Sequence, residues 1–467
     1  MKRVACSFLS VVTLLTLFAF SAIAQTLPPR VAGDAEIRKI LADRVDAEHQ
    51  GVGIVVGVIE PAGRRVVAYG TLDAGDSRPL NGDTLFEIGS TTKVFTSLLL
   101  ADMVSKGEVA LTDPVSNFLP EGVKMPERNG RKITLVDLAT HTSGLPRLPS
   151  NLAPRDTSNP YADYTVRQLY DFLSGYRLSR DVGSQYEYSN LGAGLLGHVL
   201  ALHVGQDYET LVRTRICGPL GMKDTSVTLS DAMKKRLAVG HDAQRKPVPN
   251  WDIPTLAGAG ALHSSANDLL TFLADNLGYQ TTPLAPAMAI MLATRRPTGV
   301  SSMEIALGWH VTKTGDTEIV WHNGGTGGSR SWIGFDQKNR TGVVILANMF
   351  TNAGVDDIGQ HLLVPSAPLV HAPREHAIAK VDPAVVARYV GRYQLAPNFI
   401  LSITREGDQL FAQATGQPRL EIFPEGQQDY FFKAVDAQIT FETDANNRAT
   451  GLVLHQSGDH RATRIQE

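Results

Sequence analysis

A serine and a lysine stand three residues apart at the start of an apolar stretch. Ser90 and Lys93 form the only Ser-x-x-Lys in the sequence, and the apolar positions from Lys93 to Val104 predict a buried helix. On such a helix both side chains share one face, and the positive end of the helix dipole lies at Ser90. A desolvated lysine can take a proton from a serine hydroxyl as the free amine. We therefore predict Ser90 as a nucleophile and Lys93 as its base. The common alternative, a capping serine with a solvated lysine, leaves a lysine in an apolar helix unexplained.

A tyrosine and an asparagine come next, in the only Tyr-x-Asn of the chain. Tyr188 and Asn190 lie between a loop and a predicted helix from Leu191 to about His203. Tyr188 could pass a proton between Ser90, Lys93 and a leaving group if nearby cations lower its phenol pKa. Asn190 offers an amide to a substrate carbonyl and to Lys93. The alternative is that Tyr188 only packs against its surroundings.

A third candidate is the glycine-rich segment that begins at His322. Gly324 and Gly325 follow the predicted strand that ends at Trp321. Glycines here would let a substrate backbone lie against the strand and would expose main-chain amides. The amides of Ser90 and Gly325 could form an oxyanion hole. The alternative is a plain glycine turn between strands.

Three patterns of other enzyme classes are incomplete or absent in the sequence. Gly192, Gly194 and Gly197 spell the dinucleotide-binding G-x-G-x-x-G, but they fall inside an apolar helix without a preceding strand, which favours close helix packing. No H-E-x-x-H zinc motif and no G-x-S-x-G nucleophile elbow occur in the sequence. We therefore predict neither a metal nor an organic cofactor.

The elements that must position these residues are strands at both ends of a region and helices in its middle. The apolar runs 51–59 and 65–69 predict a hairpin across a Pro-Gly turn, and 134–276 reads as helices with loops. Strand patterns return at the end, in residues 308–311, 318–321, 331–336 and 342–348. This order predicts an α+β domain whose sheet joins both ends of the region.

The C-terminal part has a different texture. Residues 364–380 contain three prolines and no apolar period, which predicts a linker. Beyond it, short strands separated by turn residues predict a sandwich or barrel. The predicted strands are 399–404, 410–414, 420–423, 430–432, 439–442 and 452–455.

The first residues are typical of an export signal. Lys2 and Arg3 precede an apolar stretch, and Ala22-Ile23-Ala24 fits a cleavage site, so we predict a signal peptide over residues 1–24. The expected location is the periplasm or the medium, without a membrane anchor after cleavage. Cys217 is then the only cysteine, which excludes an internal disulfide. A formal net charge of −3 gives no basic footprint for nucleic acid.

Taken together, the three motifs resemble those of the penicillin-recognising serine hydrolases, in particular class C β-lactamases, D-Ala-D-Ala carboxypeptidases, D-aminopeptidases and β-lactamase-like esterases. The segments 137–145, 218–222 and 258–262 are similar to that branch as well. The resemblance implies an antiparallel sheet flanked by helices plus a helical subdomain, over residues 25–363, with the site between them. It implies Ser90 as nucleophile, Lys93 as base, Tyr188 as proton relay, and Asn190, His322, Gly324 and Gly325 as substrate-binding residues. Residues 381–467 resemble a lipocalin-like β-barrel.

His322 is where the chain departs from the β-lactamase pattern, which usually has Lys-Thr-Gly instead of His322-Asn323-Gly324. A histidine can replace the charge of that lysine only when it is protonated, so if His322 holds a substrate carboxylate, it does so in its charged form. The alternative is a proton-relay or structural histidine. The predicted function is cleavage of a β-lactam or a D-amino-acid amide through an acyl-enzyme. Two alternatives stay open: a carboxylesterase of the same branch, and a sensor that β-lactams acylate without turnover.

Overall fold

The computed structural model describes residues 31–370, 378–397, 399–433, 435, 437–456 and 459–465. The predicted signal peptide lies outside these residues, as does the part 371–377 of the predicted linker before the barrel. The chain divides into two compact units, one up to Leu369 and the other from Val370 onward.

An eight-stranded antiparallel sheet organises the first unit. The hairpin predicted from residues 51–69 is present, and its first strand also pairs with the last strand of the unit, Ile54 opposite Ala347. The predicted sheet therefore does join both ends of the region. In spatial order the strands are β2 (Gly63–Gly70), β1 (Gly53–Glu60), β14 (Thr341–Ala347), β13 (Arg330–Asp336), β12 (Thr317–Gly325), β11 (His310–Thr314), β10 (Met303–Ile305) and β9 (Arg296–Pro297).

The described residues contain twelve α-helices. They are α1 (Asp34–Ala42), α2 (Thr92–Ser105), α3 (Leu135–Ala139), α4 (Val166–Gly175), α5 (Asn190–Val204), α6 (Tyr208–Val212), α7 (Gly218–Leu220), α8 (Asp231–Lys234), α9 (Ala266–Asn276), α10 (Ala285–Ala293) and α11 (Asp356–Leu363) in the first unit, and α12 (Pro383–Val386) in the second. Three pairs of short strands lie outside the main sheet: β3 (Leu85–Glu87) with β8 (His263–Ser265), β4 (Glu127–Arg128) with β5 (Arg131–Lys132), and β6 (Gly240–His241) with β7 (Pro247–Val248).

Helices cover both faces of the sheet. In β1, Val56 packs into a core with α1 and α11, whereas Val55 faces the larger core that contains α2 and α9. Burial on both faces explains why β1 is almost continuously apolar instead of alternating. Helix α2 is buried on all sides from Thr92 to Met103, so the helix that begins next to Ser90 is fixed by packing around its whole circumference.

The second unit contains a closed barrel of eight antiparallel strands. Six of them match the sequence prediction, and the remaining two, β15 (Gly391–Ala396) and β22 (Asp459–Ile465), pair with each other to close the barrel. Both are largely polar, with one buried residue each, so their residues show no alternating apolar pattern that would predict a strand. The strands are β15 (Gly391–Ala396), β16 (Phe399–Glu406), β17 (Gln409–Ala414), β18 (Leu420–Pro424), β19 (Asp429–Phe432), β20 (Gln438–Thr443), β21 (Ala449–His455) and β22 (Asp459–Ile465).

None of the helices in the described parts of the chain is long and apolar enough to cross a bilayer.

Candidate active site

Ser90 lies in a one-turn 3₁₀ segment, Gly89–Thr91, that joins β3 to α2. Gly89 has a φ of +48°, and a Cβ atom built on it would lie 2.6 Å from the amide nitrogen of Gly325. A side chain here would be both strained and in collision. The sequence can therefore bring the Ser90 turn against β12 only with glycine at position 89.

Lys93 is buried one turn further along, with 2% of its surface exposed. Its Nζ lies 2.8 Å from Ser90 Oγ and donates a hydrogen bond of 2.7 Å to the carbonyl of Ala259. Burial lowers the pKa of Lys93 well below its usual value, and the nearby charge of Arg147 lowers it further. No acidic side chain in the described residues forms an ion pair with this amine. The arrangement favours a neutral amine beside the serine hydroxyl.

Tyr188 is positioned by the residue that follows it. The Ser189 hydroxyl caps α5 by accepting a hydrogen bond from Gly192 N, and it donates one to the carbonyl of Pro146. The backbone amide of Ser189 donates to Nδ1 of His141 over 3.1 Å. These contacts hold the Tyr188 ring with its centroid 4.9 Å from Lys93 Nζ.

The phenol of Tyr188 has a pKa that burial raises above its ordinary value. A hydrogen bond with Ser90 and the charge of Arg147 lower it, but they do not outweigh burial. A depressed phenol pKa, the condition set from the sequence, is therefore not met. Tyr188 is a neutral phenol in the resting site, so it can donate a proton but does not start as a phenolate.

Asn190 is the first residue of α5, directly after the cap. Its Nδ2 donates to the Tyr161 hydroxyl over 3.3 Å, while its Oδ1 is buried without a hydrogen-bond partner in the described residues. An unpaired buried acceptor is costly unless something binds there. The expected hydrogen bond from Asn190 to Lys93 is absent from this arrangement, because Lys93 bonds to Ser90 and Ala259 instead.

Gly324 is the point of closest approach between β12 and the Ser90 turn. A Cβ at Gly324 would lie 2.0 Å from the carbonyl oxygen of Ile88 and 2.9 Å from the amide nitrogen of Ser90. Ser331, opposite Gly324 on β13, donates a 2.7 Å hydrogen bond to the same Ile88 carbonyl. Strand β12 and the nucleophile turn are therefore joined at backbone distance.

His322 is fully buried, and its chemistry differs from the sequence expectation. Burial lowers its pKa well below 6.5, and the neighbouring His310 and Lys93 lower it further. Its Nδ1 lies 2.6 Å from the carbonyl of Asn323, and its Nε2 has no partner in the described part of the chain. The lowered pKa favours the neutral form of the buried His322 near pH 7, which does not support a protonated His322 that holds a carboxylate.

An acid occupies the opposite face of β12. Asn323, which alternates with His322 along the strand, donates from its amide to the Asp356 carboxylate at the start of α11. Burial raises the pKa of Asp356 to about 6. Above that pH this end of the strand carries a negative charge.

Several contributors escaped the sequence interpretation. The Ala259 carbonyl is a backbone group, so its residue type carries no signal. Arg147 lies in a loop without a motif, and Glu87 precedes the nucleophile turn in what reads as an ordinary strand. No group of three or more His, Cys, Asp or Glu side chains able to hold a metal ion exists among the residues described here.

The family comparisons agree with this geometry. The β-lactamase family model matches residues 37–364, and a model of a domain of unknown function (DUF3471) matches residues 376–467. The D-alanyl-D-alanine-carboxypeptidase/endopeptidase AmpH of Escherichia coli (strain K12) is 32% identical over 332 residues, which cover 68% of this chain and 84% of AmpH. Penicillin-binding protein 4 of Amycolatopsis lactamdurans is 26% identical over 377 residues, which cover 75% of this chain and 95% of that protein.

A solved structure points the same way. The class C β-lactamase of Rhodobacter sphaeroides aligns with a TM-score of 0.59 and 28% identity, over 68% of this chain and 95% of that one. The matched region contains the Ser90 turn, the Tyr188 loop and β12 in one unit. The chain therefore belongs to the β-lactamase family and is a serine hydrolase of that family.

Proposed function

We propose that the chain cleaves a β-lactam ring or a D-amino-acid amide bond through an acyl-enzyme on Ser90. The observation that carries the proposal is the pair Ser90 and Lys93. A buried amine with a lowered pKa lies 2.8 Å from the Ser90 hydroxyl, in the Gly89–Thr91 turn at the start of a buried helix.

In the first step, Ser90 Oγ attacks the substrate carbonyl carbon while its proton passes to Lys93 Nζ. The backbone amides of Ser90 and Gly325 donate hydrogen bonds to the carbonyl oxygen and stabilise the negative charge that develops on it. The close packing of Gly89 on Gly325 supports this role, because it places the two peptide segments side by side.

The leaving amine then needs a proton. Tyr188 donates its phenolic proton to the leaving nitrogen and recovers one from the Lys93 ammonium, so the tetrahedral intermediate collapses to the acyl-enzyme. Its raised pKa suits this order of events, because a neutral phenol holds a proton to give. A water molecule then attacks the acyl carbon and releases Ser90. The unpaired Asn190 Oδ1 is suited to accept a hydrogen bond from a substrate N–H.

A carboxylesterase is the second candidate, and one observation favours it. The third motif has His322, with its lowered pKa, in place of the lysine whose permanent positive charge would meet a substrate carboxylate in the β-lactamase pattern. A neutral ester needs no such charge.

Parallel turnover assays test the substrate class. Nitrocefin, a peptide ending in D-Ala-D-Ala, and p-nitrophenyl acetate are offered to the same preparation. Turnover of either of the first two is the expected result. Turnover of p-nitrophenyl acetate alone would establish the esterase, and a stoichiometric burst with nitrocefin that stops would establish a sensor.

We also propose export to the periplasm or the medium, on the basis of Lys2, Arg3, the apolar stretch and Ala22-Ile23-Ala24. The N-terminal sequence of protein purified from a bacterial host tests this proposal. A mature chain that begins at Gln25 is expected, and a retained Met1 would contradict it.

A further inference from the structure

Arg147 is an exposed cation beside the Tyr188 ring, with its guanidinium carbon 5.1 Å from the ring centroid. No ion pair or side-chain hydrogen bond engages this guanidinium in the part of the chain described. Its backbone carbonyl accepts hydrogen bonds from the amides of Asn190 and Leu191, which fixes the loop to the start of α5. The charge is therefore held next to the candidate site and left available.

The positive charge of Arg147 affects the pKa values of several neighbouring side chains. Arg147 lowers the pKa of Lys93, His141 and three tyrosines, Tyr161, Tyr186 and Tyr188. Arg147 therefore lies within electrostatic range of the candidate site, as its 5.1 Å distance from the Tyr188 ring also indicates.

The other basic groups of the site are less suited to bind an anion. Burial disfavours the charged form of Lys93 and of the three histidines, His141, His310 and His322. Arg330 lies beside Gly325, but it donates through Nε and Nη2 to the carbonyl of Thr351 and shares its surroundings with Asp356. An anionic substrate group meets an available permanent positive charge at Arg147.

We propose that Arg147 anchors an anionic group on the leaving-group side of the substrate, a carboxylate for example, and so sets a preference for anionic substrates. The side follows from position, because Arg147 lies against Tyr188, the residue placed to protonate the leaving group. The guanidinium can bind a carboxylate through two parallel hydrogen bonds. This inference rests on the proposed function and assigns the charge that His322 does not supply.

The test uses two esters that differ by one charge on the leaving group. They are 3-acetoxybenzoate and its methyl ester. The quantity measured is the kcat/KM of the anionic 3-acetoxybenzoate divided by the kcat/KM of the neutral methyl ester. Each variant is its own control for effects on Lys93 or on folding, because such effects change both esters alike. The variants are Arg147→Gln and Arg147→Lys. Arg167→Gln serves as the matched control, since Arg167 is an exposed arginine on α4 paired with Asp171.

In Arg147→Gln the ratio should fall by about five- to tenfold, mainly through KM for the anion, and Arg147→Lys should retain part of it. The wild-type ratio should also fall as salt rises. Arg167→Gln should leave it unchanged. An unchanged ratio in Arg147→Gln, or a loss in Arg330→Gln instead, would overturn the inference. If neither ester is hydrolysed and a fluorophosphonate does not label Ser90, the proposed function itself fails.

Discussion

At the scale of single residues, the free-energy cost of burying a charged Lys93 favours the neutral amine, which is the form that can act as a base. A charged ammonium with 2% exposure and no acidic partner in the described residues would be poorly solvated, so the neutral amine is favoured. The free amine lies within hydrogen-bond distance of Ser90 Oγ. The residue that looks unsuited to an apolar helix is therefore the one that can activate the nucleophile.

Lys93→Arg should lose acylation by roughly 10²- to 10⁴-fold, because a guanidinium stays protonated and cannot accept the Ser90 proton. In the wild type the free amine forms as pH rises through the lowered pKa of Lys93, so the rate should reach its plateau well below pH 10.5. The pH profile of labelling by a fluorophosphonate measures both. A rate that keeps rising to about pH 10, as for an ordinary lysine, would contradict the account.

At the scale of elements, the site depends on how closely β12 approaches the Ser90 turn. Gly324 leaves no room for a methyl group against Ile88 O and Ser90 N. The hydroxyl of Ser331 joins the same two elements by a hydrogen bond to Ile88. Small displacements of this contact would move the amides that are proposed to bind the oxyanion.

Gly324→Ala should therefore reduce kcat by about 10²-fold or more and lower the free energy of unfolding by roughly 1–3 kcal/mol. Gly175→Ala is the matched control, because a Cβ there meets nothing within 4 Å. Steady-state kinetics and urea unfolding separate the two effects. Equal activity of both variants would show that the packing of β12 on the turn does not serve catalysis.

Glu87 connects three segments of the chain next to the site, and its ionisation should change the free energy of unfolding. Its carboxylate accepts hydrogen bonds from Trp251 N and Thr326 Oγ1, and burial raises its pKa from the usual 4.5 to about 7. Because the folded state binds this proton more tightly than the unfolded state, stability should fall as pH rises from 4.5 to 7 and then level off.

Glu87→Gln removes this titration. The difference between the free energies of unfolding, variant minus wild type, should increase by roughly 3 kcal/mol or less between pH 4.5 and pH 7. Above pH 7 this difference should stay constant. Urea unfolding at a series of pH values measures it. A difference that is the same at pH 4.5 and at pH 8 would mean that Glu87 has an ordinary pKa in the folded protein.

The elements also show how far the sequence could lead. The spacing of Ser90 and Lys93 and the apolar helix after them were enough to predict one shared face, because an α-helix fixes that geometry locally. The lowered pKa of His322 was not predictable, since it depends on burial and on the neighbouring His310 and Lys93, which arise only in the fold. Arg147 was missed for the same reason, because its meaning comes from the Tyr188 ring 41 positions later. Local patterns predict elements, whereas tertiary neighbours decide protonation.

At the scale of the whole molecule, two units have separate cores. Trp332 and Ile358 belong to one core of the first unit, while Tyr389 and Phe441 stack within the barrel at 4.1 Å between ring centroids. All the residues proposed for catalysis lie in the first unit. The barrel strands pair only among themselves in the described residues.

A chain that ends at Leu369 should fold and should still be acylated, since its cores and its candidate site are complete without the barrel. Two separate measurements test this, thermal unfolding and fluorophosphonate labelling of the folded protein, each made in parallel on the full chain. A soluble and labelled truncation is expected. An insoluble product would mean that the two units fold as one cooperative unit.

The central claim is that Ser90 is the acylated nucleophile, and peptide mass spectrometry after labelling tests it most directly. Wild-type protein is incubated with a fluorophosphonate and digested, with Ser90→Ala and Ser105→Ala treated in parallel. Ser105 lies at the exposed far end of the same helix, so its variant controls for changes in α2. The account predicts one modified peptide that carries the adduct on Ser90, present in Ser105→Ala and absent from Ser90→Ala. An adduct on another serine, or labelling of Ser90→Ala at the wild-type rate, would contradict it.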